Sequence, residues 1–259
     1  MKETEIVLKK EVSLKSPILI EGLPGIGLVG KLAAEHLIKE LKAEKFADLY
    51  SPDFPPQVVI EEDSTVRLLR GEFYYWKAET KDQSDLIFFV GDNQGLTYAS
   101  QYNISGATLD FAENYKTKMI ITLGGLAIGK MSKTPKVYGA VTHKQIVREF
   151  KKHGVSFERK AGQGIFGAAG LLLGLGQLRN MKGICLMGET QGNYVDPKAA
   201  KSVLEVLRQY LKLKVKLDDL DKKAVEIEEM ISRFEQIQKS QQQPPMPVMP
   251  KDESSTYIR

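Results

Sequence analysis

The sequence contains very few of the residues that build disulfide frameworks and metal centres. Among 259 residues there is one cysteine, Cys185, and there are three histidines, His36, His143 and His153. A single cysteine excludes a disulfide within the chain and any zinc site built from a cysteine cluster. The histidines are too scattered along the sequence to indicate a metal site. We therefore expect no metal and no resident cofactor.

Neither sign of charge dominates the chain. Lys and Arg number 37, Asp and Glu number 33, and the formal net charge is +4. Nucleic-acid-binding domains carry dense basic stripes, and none is visible here, so we expect no nucleic-acid partner. No charged segment followed by an apolar leader opens the sequence, which favours a cytoplasmic protein.

One segment is long and uncharged. No charged residue occurs between Lys160 and Arg179, and this length is at the short end of what a bilayer crossing needs. The segment also contains many glycines and two glutamines, and no aromatic belt flanks it. These features favour a buried helix whose glycines admit a close neighbour. We expect no membrane partner.

Short apolar runs alternate with helical patterns along the chain. We predict strands at residues 6–8, 17–21, 46–50, 58–61, 66–69, 72–77, 86–90, 119–123, 137–141 and 184–187, and helices at 28–41, 99–115, 143–153 and 164–178. This alternation is typical of an α/β layered fold, and the continuous apolar runs indicate strands of a parallel sheet buried on both faces. Arg70-Gly71 separates two strand-like halves, which predicts a hairpin at a sheet edge.

A long helix is predicted near the carboxyl end of the chain. Asp196-Pro197 has the form of a helix start, and helical patterning continues from Lys198 to about Lys239. The second half carries apolar residues at alternating spacings of four and three, as in a heptad repeat: Leu213, Leu217, Leu220, Ala224, Ile227, Ile231 and Phe234. This seam either forms a coiled coil in an oligomer or packs against the chain's own domain, because three heptads are marginal for an isolated coiled coil.

The composition changes after Lys239. Residues 240–259 hold four of the eleven prolines and few apolar residues, so we expect a disordered tail in isolation. The last three residues are Tyr257, Ile258 and Arg259. A spacer does not need apolar residues at its end, whereas a docking peptide does, so these residues indicate a docking peptide. The alternative interpretation is an ordinary frayed terminus. We divide the chain into an α/β core (1–212), a heptad-bearing helix (213–239) and this tail (240–259).

A glycine-rich turn follows the first predicted buried strand. Residues 22–30, GLPGIGLVG, contain the dinucleotide-binding pattern G-x-G-x-x-G, with Asp48 about twenty residues further on. That fingerprint needs the strand to lead directly into its first glycine, and three residues intervene. The turn also nearly matches a P-loop, and Asp92 follows a later apolar strand, as the Walker B acid of P-loop proteins does. However, Leu32 replaces the hydroxyl residue that holds magnesium. We therefore predict a structural turn that starts a helix close to the sheet, made by Gly22, Pro24, Gly25, Gly27 and Gly30.

Other polar residues follow the predicted strands. A pocket built from Asn93, Glu189 and the glycine turns would lie at the crevice that α/β proteins use for ligands. No nucleophile–base pair stands out: Ser100 and Ser105 lack the G-x-S-x-G pattern, and Cys185 lies in an apolar strand. We expect a protein that is not an enzyme. A nucleoside phosphorylase- or hydrolase-like enzyme and a nucleotide-binding protein are the alternatives.

Three motifs in order resemble the proteasome assembly chaperone family, particularly its archaeal homologues. They are the glycine turn at 22–30, Gly124-Gly125 after an apolar strand, and the glycine-rich run 164–175 followed by GETQG at 188–192 and DPKAA at 196–200. The resemblance covers roughly residues 15–235. It implies a three-layer α/β/α domain with a mostly parallel central sheet, similar to nucleoside phosphorylases but without their enzyme site. It also implies a homo-oligomer that binds proteasome subunits or the 20S particle.

The resemblance also gives the tail a partner. Some archaeal relatives dock on the proteasome α ring through tails with a hydrophobic–Tyr–any signature, in which the tyrosine is penultimate and the terminal carboxylate pairs with a lysine. Here Tyr257 is third from the end, so the register is shifted by one residue, or about 3.3 Å of extended chain. We therefore expect a non-enzymatic proteasome-binding protein, acting as an assembly chaperone or activator, whose tail docking is altered or weaker.

Overall fold

The computed structural model describes residues 1–158, 162 and 164–241. Its strands are β1 (Glu5–Leu8), β2 (Ile18–Glu21), β3 (Glu44–Tyr50), β4 (Val58–Ile60), β5 (Val66–Leu68), β6 (Gly71–Trp76), β7 (Leu86–Gly91), β8 (Met119–Ala127), β9 (Val137–Val141) and β10 (Lys182–Thr190). Eight of them form one sheet in the order β1-β3-β6-β7-β2-β8-β10-β9. The helices are α1 (Val29–Glu40), α2 (Tyr98–Asn114), α3 (Lys144–Lys151), α4 (Ala168–Leu178), α5 (Pro197–Tyr210) and α6 (Asp218–Gln241).

The helices lie in two layers, one on each face of the sheet. Helices α1, α3 and α5 and the start of α6 share one apolar core with alternate residues of the strands, such as Ile121 and Leu123. Helices α2 and α4 share the other core, which takes the intervening strand residues, such as Ile120 and Cys185. Because successive strand side chains point to opposite faces, the buried strands supply both cores. The predicted three-layer α/β/α fold is confirmed.

The parallel part of the sheet is confined to its centre. Strands β7, β2, β8 and β10 pair in parallel, whereas β1, β3, β6 and β9 join the sheet through antiparallel pairings. The sheet is therefore mixed, and the expected mostly parallel arrangement holds only for these four strands. Residues 77–85 explain the switch at β6, because they are too few for the crossover that parallel neighbours need.

The predicted hairpin around Arg70-Gly71 is wrong. Strand β5 pairs with β4 in a separate two-stranded sheet, and β6 lies inside the large sheet between β3 and β7. The turn of the hairpin is instead at residues 61–65, where the Asp63 carboxylate accepts from the Thr65 N–H (3.0 Å). Gly71 has a packing role, since a Cβ there would stand 2.6 Å from the Phe89 ring.

The long carboxyl-terminal helix is interrupted. Residues 211–217 leave the helical path between α5 and α6, so Leu213 and Leu217 precede α6 and do not extend a heptad stripe on it. Both side chains, with Leu220 and Ala224, are buried against the chain's own domain. Ile227 is half-buried; Ile231 and Phe234 belong to α6, but their side chains lie outside the described part. The domain boundary expected at residue 213 therefore falls within a segment that packs on the core.

Within the described residues, no helix combines the length and the apolar character that a membrane crossing requires. The uncharged segment between Lys160 and Arg179 contributes α4, which has 11 residues and buries Leu172 and Leu173 beneath the sheet. The apolar composition of this segment therefore serves the core between α4, α2 and the strands.

The first turn of α1 sits directly on the central strands. A Cβ at Gly30 would overlap the carbonyl oxygen of Leu123 in β8, and a Cβ at Gly22 would stand 2.5 Å from the carbonyl oxygen of Gly30. Backbone cannot give way as a flexible side chain can, so only glycine permits this approach. Gly106 in α2 offers the opposite case, because a Cβ there would meet no atom within 4 Å.

We therefore expect opposite effects from two Gly→Ala substitutions. Gly30→Ala should lower the free energy of unfolding by about 3 kcal/mol, because α1 must shift away from β8. The matched control Gly106→Ala should raise it by up to about 1 kcal/mol, because alanine has the better helix propensity. Equilibrium unfolding in guanidinium chloride measures both, and equal stabilities of the two variants would contradict the packing of α1 described above.

Candidate functional site

A crevice opens between two neighbouring parallel strands whose following helices lie on opposite faces of the sheet. Strand β2 leads into α1 on one face, whereas the adjacent β7 leads into α2 on the other. Such a switch point is where open α/β sheets form their ligand crevices. The Gln94 side chain spans it: Nε2 donates to the Pro24 carbonyl (2.6 Å) and Oε1 accepts from the Ala168 N–H (3.1 Å). One amide thus joins three loops around the crevice.

The glycine turn forms one wall of this crevice, and close contacts with other protein atoms account for most of its glycines. Gly27 has a φ of 62°, and a Cβ there would stand 2.8 Å from the Thr190 hydroxyl. A Cβ at Gly125, on β8, would overlap the carbonyl oxygen of Ile26 in the turn. Gly25 has free space around it, and the Pro24 carbonyl is the acceptor for Gln94. The geometry of the turn is accounted for by its close contact with β8 and β10.

The residues that would handle a nucleotide are engaged elsewhere. The Lys31 ammonium donates to the Gly91 carbonyl (2.7 Å) and pairs with Glu35. Burial opposes ionisation of Asp92, but the ion pair with Arg67 and the N–H of Arg70 (3.0 Å) hold its pKa below the ordinary value. These contacts fix the loop after β7 to the sheet, so Lys31 and Asp92 serve the fold.

Other candidate residues are not brought together. Asp48 is on β3, which β6 and β7 separate from β2, and it pairs there with Lys9 and Lys45. Glu189, on β10, accepts from the Tyr138 hydroxyl and the Lys136 N–H (both 3.1 Å), on the side away from β2. Asn93 follows β7, which β2 and β8 separate from β10. The expected pocket of Glu189, Asn93 and the glycine turns is therefore not formed.

The remaining chemistry-bearing residues have structural surroundings. Ser100 closes the capping box of α2 with Thr97, and the Ser105 hydroxyl is buried in the same helix. Cys185 is buried in β10. Across the described residues, no group of three or more His, Cys, Asp or Glu side chains is arranged to hold a metal ion.

The crevice contains one acid that sequence reasoning missed. Glu21 ends β2 and is only 1% exposed. Its Oε1 accepts from the Leu23 N–H (2.8 Å), while Oε2 has no hydrogen-bond partner in the described part of the chain. Burial raises the pKa of this carboxyl to about 8, although the backbone N–H groups of Leu23 and Leu123 favour the charged form. The available signal was an acid at the end of an otherwise apolar strand.

A cavity of about 190 Å³ adjoins Glu21 on the α4 face of the sheet. The other lining side chains are almost all apolar, and Gln94 is the second polar one. Phe166 lines the cavity and is 91% exposed, so it stands at the mouth. This arrangement can offer a ligand an apolar enclosure whose lining includes one carboxyl-bearing residue.

A second unusual surface is the β4–β5 hairpin. Its register pairs Val58 with Leu68 and Ile60 with Val66, so these four side chains share one face. They are between 49% and 73% exposed. An apolar patch of this kind on a surface hairpin is typical of an interaction surface.

The tail falls outside the described residues, and so do Tyr257, Ile258 and Arg259. The start of α6, which precedes the tail, and the residues just before it are attached to the domain by several contacts. Asp219 pairs with Lys39 (2.5 Å), Asp221 pairs with Lys201 (2.7 Å), and the His36 ring Nε2 donates to the Lys216 carbonyl (2.6 Å). These contacts fix the direction in which α6 leaves the body.

Glu21 should give the protein a specific pH dependence. Its pKa in the folded state, about 8, is above the ordinary value of 4.5, so between these values the folded protein keeps a proton that the unfolded chain has released. The free energy of unfolding should therefore fall as pH rises through this window, by up to about 1.4 kcal/mol per pH unit. Glu21→Gln should remove this contribution, as measured by guanidinium unfolding between pH 5 and 9.

The matched control is Glu62→Gln, which removes an exposed acid from the β4–β5 turn. It should leave the pH dependence of the wild type unchanged. A Glu21→Gln variant whose stability follows the wild type across the whole pH range would show that the Glu21 carboxyl is ionised in the folded protein.

Comparisons with known proteins agree with this architecture. A model of the PAC2 family matches residues 19–235. An uncharacterized protein of Methanocaldococcus jannaschii is 39% identical over 245 residues, which cover 95% of this chain and 93% of that protein.

Two solved structures from Pyrococcus furiosus are similar over nearly their full length. PbaB, described as an archaeal proteasome activator, has a TM-score of 0.88 and 46% identity, covering 91% of this chain and 100% of its own. PbaA, described as an archaeal homolog of proteasome-assembly chaperone, has a TM-score of 0.76 and 31% identity, with 92% and 94% covered. The family resemblance inferred from the glycine motifs is thus confirmed: the chain belongs to the PAC2 family.

Proposed function

We propose that this protein binds the proteasome and acts on it without catalysing a reaction of its own. The observation that carries the proposal is the similarity to PbaB, an archaeal proteasome activator, at 46% identity over that whole chain. The identity to the assembly-chaperone homolog PbaA is lower, at 31%. We therefore favour action on the assembled particle over assistance in its assembly, and we place this activity in the cytoplasm.

The local chemistry of the body supports a binding role. Lys31 and Asp92 hold loops to the sheet, Glu189 holds β9, and Ser100 caps a helix. A hydroxyl, ammonium or carboxylate that already serves the fold in this way is not poised for transfer chemistry. Binding through surfaces and through the tail requires none of these groups.

The exposed face of the β4–β5 hairpin supports a homo-oligomer. Val58, Ile60, Val66 and Leu68 present a contiguous apolar surface that a second copy of the chain would cover. The adjoining groove contains Phe54 and Pro55 and enlarges the apolar area. Oligomerisation would also place several tails on one assembly. Linked binding events of this kind raise the overall affinity by about 10²–10⁴.

The tail is the second element of the proposal. Tyr257, Ile258 and Arg259 would enter pockets between α subunits, and the residues that link them to α6 would span roughly 20–23 Å as a random coil. The fixed base of α6 would set where each tail starts. The one-residue shift of Tyr257 from the penultimate position predicts that the ring and the terminal carboxylate cannot both reach the positions used by the standard signature.

The hairpin surface can be tested by its effect on native mass. Ile60→Glu places a charge on the apolar face and should reduce the mass of the oligomer, as measured by size exclusion with light scattering at about 10 µM protein. Thr80→Glu adds the same charge at an exposed position outside the hairpin and should leave the mass unchanged. A monomeric wild type would contradict the proposed oligomer, and an unchanged mass for Ile60→Glu would contradict the role of the hairpin.

The tail can be tested with proteasome components. We expect the full chain to co-elute with 20S particles and to stimulate peptide hydrolysis by them. Tyr257→Ala and removal of residues 257–259 should each weaken binding at least about tenfold, because many simultaneous contacts lose the apolar anchor. Ser254→Ala, in the same tail, is the control and should bind as the wild type does.

Parallel mixtures with isolated α subunits separate the two modes of action. Binding to mature particles with faster peptide hydrolysis supports activation, whereas binding restricted to free α subunits supports assembly. Absence of binding to both would overturn the proposed function, and normal binding by the tail variants would overturn the part played by the tail.

A further inference from the structure

The cavity beside Glu21 has the position and the lining of a small-molecule site. It lies at the carboxyl ends of β2 and β8, at the crevice described above, and encloses about 190 Å³. An apolar cavity of about 150 Å³ is large enough for a benzene ring, so one ring with a small substituent fits here. Leu126, Ile165 and Met187 provide apolar walls, and no lysine, arginine or histidine lines it in the described part of the chain.

The space is held open by the fold. Gln94 ties the glycine turn to the start of α4, so two walls of the cavity are joined by hydrogen bonds of 2.6 and 3.1 Å. Thr122 donates to the Ala169 carbonyl (3.0 Å) and connects β8 to the same helix. Walls connected in this way resist the collapse that would fill an accidental void.

Gly124 gives independent support. It lines the cavity, and a Cβ built on it would meet no atom within 4 Å. Its neighbour Gly125 and the nearby Gly22, Gly27 and Gly30 are all required by close contacts with protein atoms. Packing therefore does not explain Gly124, and it does not explain Gly25 or Gly164, which also line the cavity. The missing side chain of Gly124 leaves room inside the cavity.

Glu21 supplies the polar group of the site. Oε1 already accepts from the Leu23 N–H, and the Leu123 N–H also approaches the carboxyl group. Oε2 has no hydrogen bond of ordinary geometry among the described residues, so the proton of the neutral acid belongs there. A buried hydroxyl donor without an acceptor is destabilising, and an acceptor on a ligand would remove this cost. A neutral carboxyl with no cationic neighbour in the cavity lining does not favour an anion.

We infer that this cavity binds a small uncharged ring compound that presents a carbonyl or ring-nitrogen acceptor to Glu21. The apolar walls contact the ring, and the carboxyl Oε2–H donates to the acceptor. A bound ring would also cover part of Phe166, which is exposed at the mouth. This site is separate from the hairpin and the tail and goes beyond the proposed action on the proteasome.

Calorimetric titration of the full-length protein with benzamide and with 2-piperidone at pH 6 tests the inference. We expect saturable binding of one molecule per chain, with a dissociation constant on the order of 1 mM for such small ligands. Benzylamine, a cation without an acceptor, should bind at least about tenfold more weakly. No saturable binding of either carbonyl probe would overturn the inference.

Three variants connect binding to the named atoms. Gly124→Val places three side-chain carbons where the cavity lies and should abolish binding, and Gly124→Ala should weaken it. Glu21→Leu removes the donor and should weaken binding about tenfold. Glu21→Gln keeps an N–H donor and should bind at pH 6 about as well as the wild type. Thermal unfolding of each variant confirms that it is folded; if Gly124→Val is not, Gly124→Ala decides.

The pH dependence gives a readout that a purely structural role would not move. Binding to the wild type should weaken as pH rises past about 8, because the donor proton is lost, whereas binding to Glu21→Gln should stay constant. Equal affinity of the wild type and Gly124→Val would overturn the site, and a wild-type affinity unchanged up to pH 9.5 would overturn the role of Glu21.

Discussion

The close approach of the α1 turn to the central strands is the constraint on which the rest of the structure depends. Gly30 rests on the backbone of Leu123, Gly22 faces the carbonyl of Gly30, and Gly125 rests against Ile26. These contacts leave no space for a phosphate group between the turn and β8. The same contacts position Pro24, whose carbonyl receives Gln94, and thereby fix the loops that surround the crevice. The glycine turn, which resembles a nucleotide-binding loop in sequence, thus holds the loops that surround the crevice.

The polar groups at the strand ends of this protein serve the fold, and one hairpin on its surface is apolar. Polar groups at the strand ends are used in ion pairs, as with Asp92, and in hydrogen bonds, as with Glu189, and they hold loops in place. Apolar side chains stand in solvent on the β4–β5 hairpin. Burying apolar area drives association, whereas satisfied ion pairs contribute mainly orientation. Loops fixed by polar contacts and an apolar hairpin on the surface suit a protein that binds other proteins.

The sequence predicted the elements that local patterning determines and missed those that depend on distant partners. Strands such as β2 and β7 were identified because continuous apolar runs report burial on both faces. The partner of β5 was misassigned because Arg70-Gly71 has the composition of a turn. Gly71 is glycine for another reason, since a Cβ there would clash with the Phe89 ring on the neighbouring strand β7. The break before α6 was missed because Leu213 and Leu217 keep a helical spacing while packing as an irregular segment.

Glu21 shows why the candidate site was harder to predict than the fold. In the sequence it is one acid after Ile18, Leu19 and Ile20, and nothing local states that both oxygens are buried. An apolar residue at this position would remove the desolvation cost and would pack against the same walls, so the fold alone does not call for a carboxyl. The two backbone N–H groups that approach it reduce that cost without cancelling it, since the pKa is still raised to about 8. The fold does not require the desolvation cost of Glu21, and packing does not require the nearby Gly124. A molecule bound in the cavity would account for both residues.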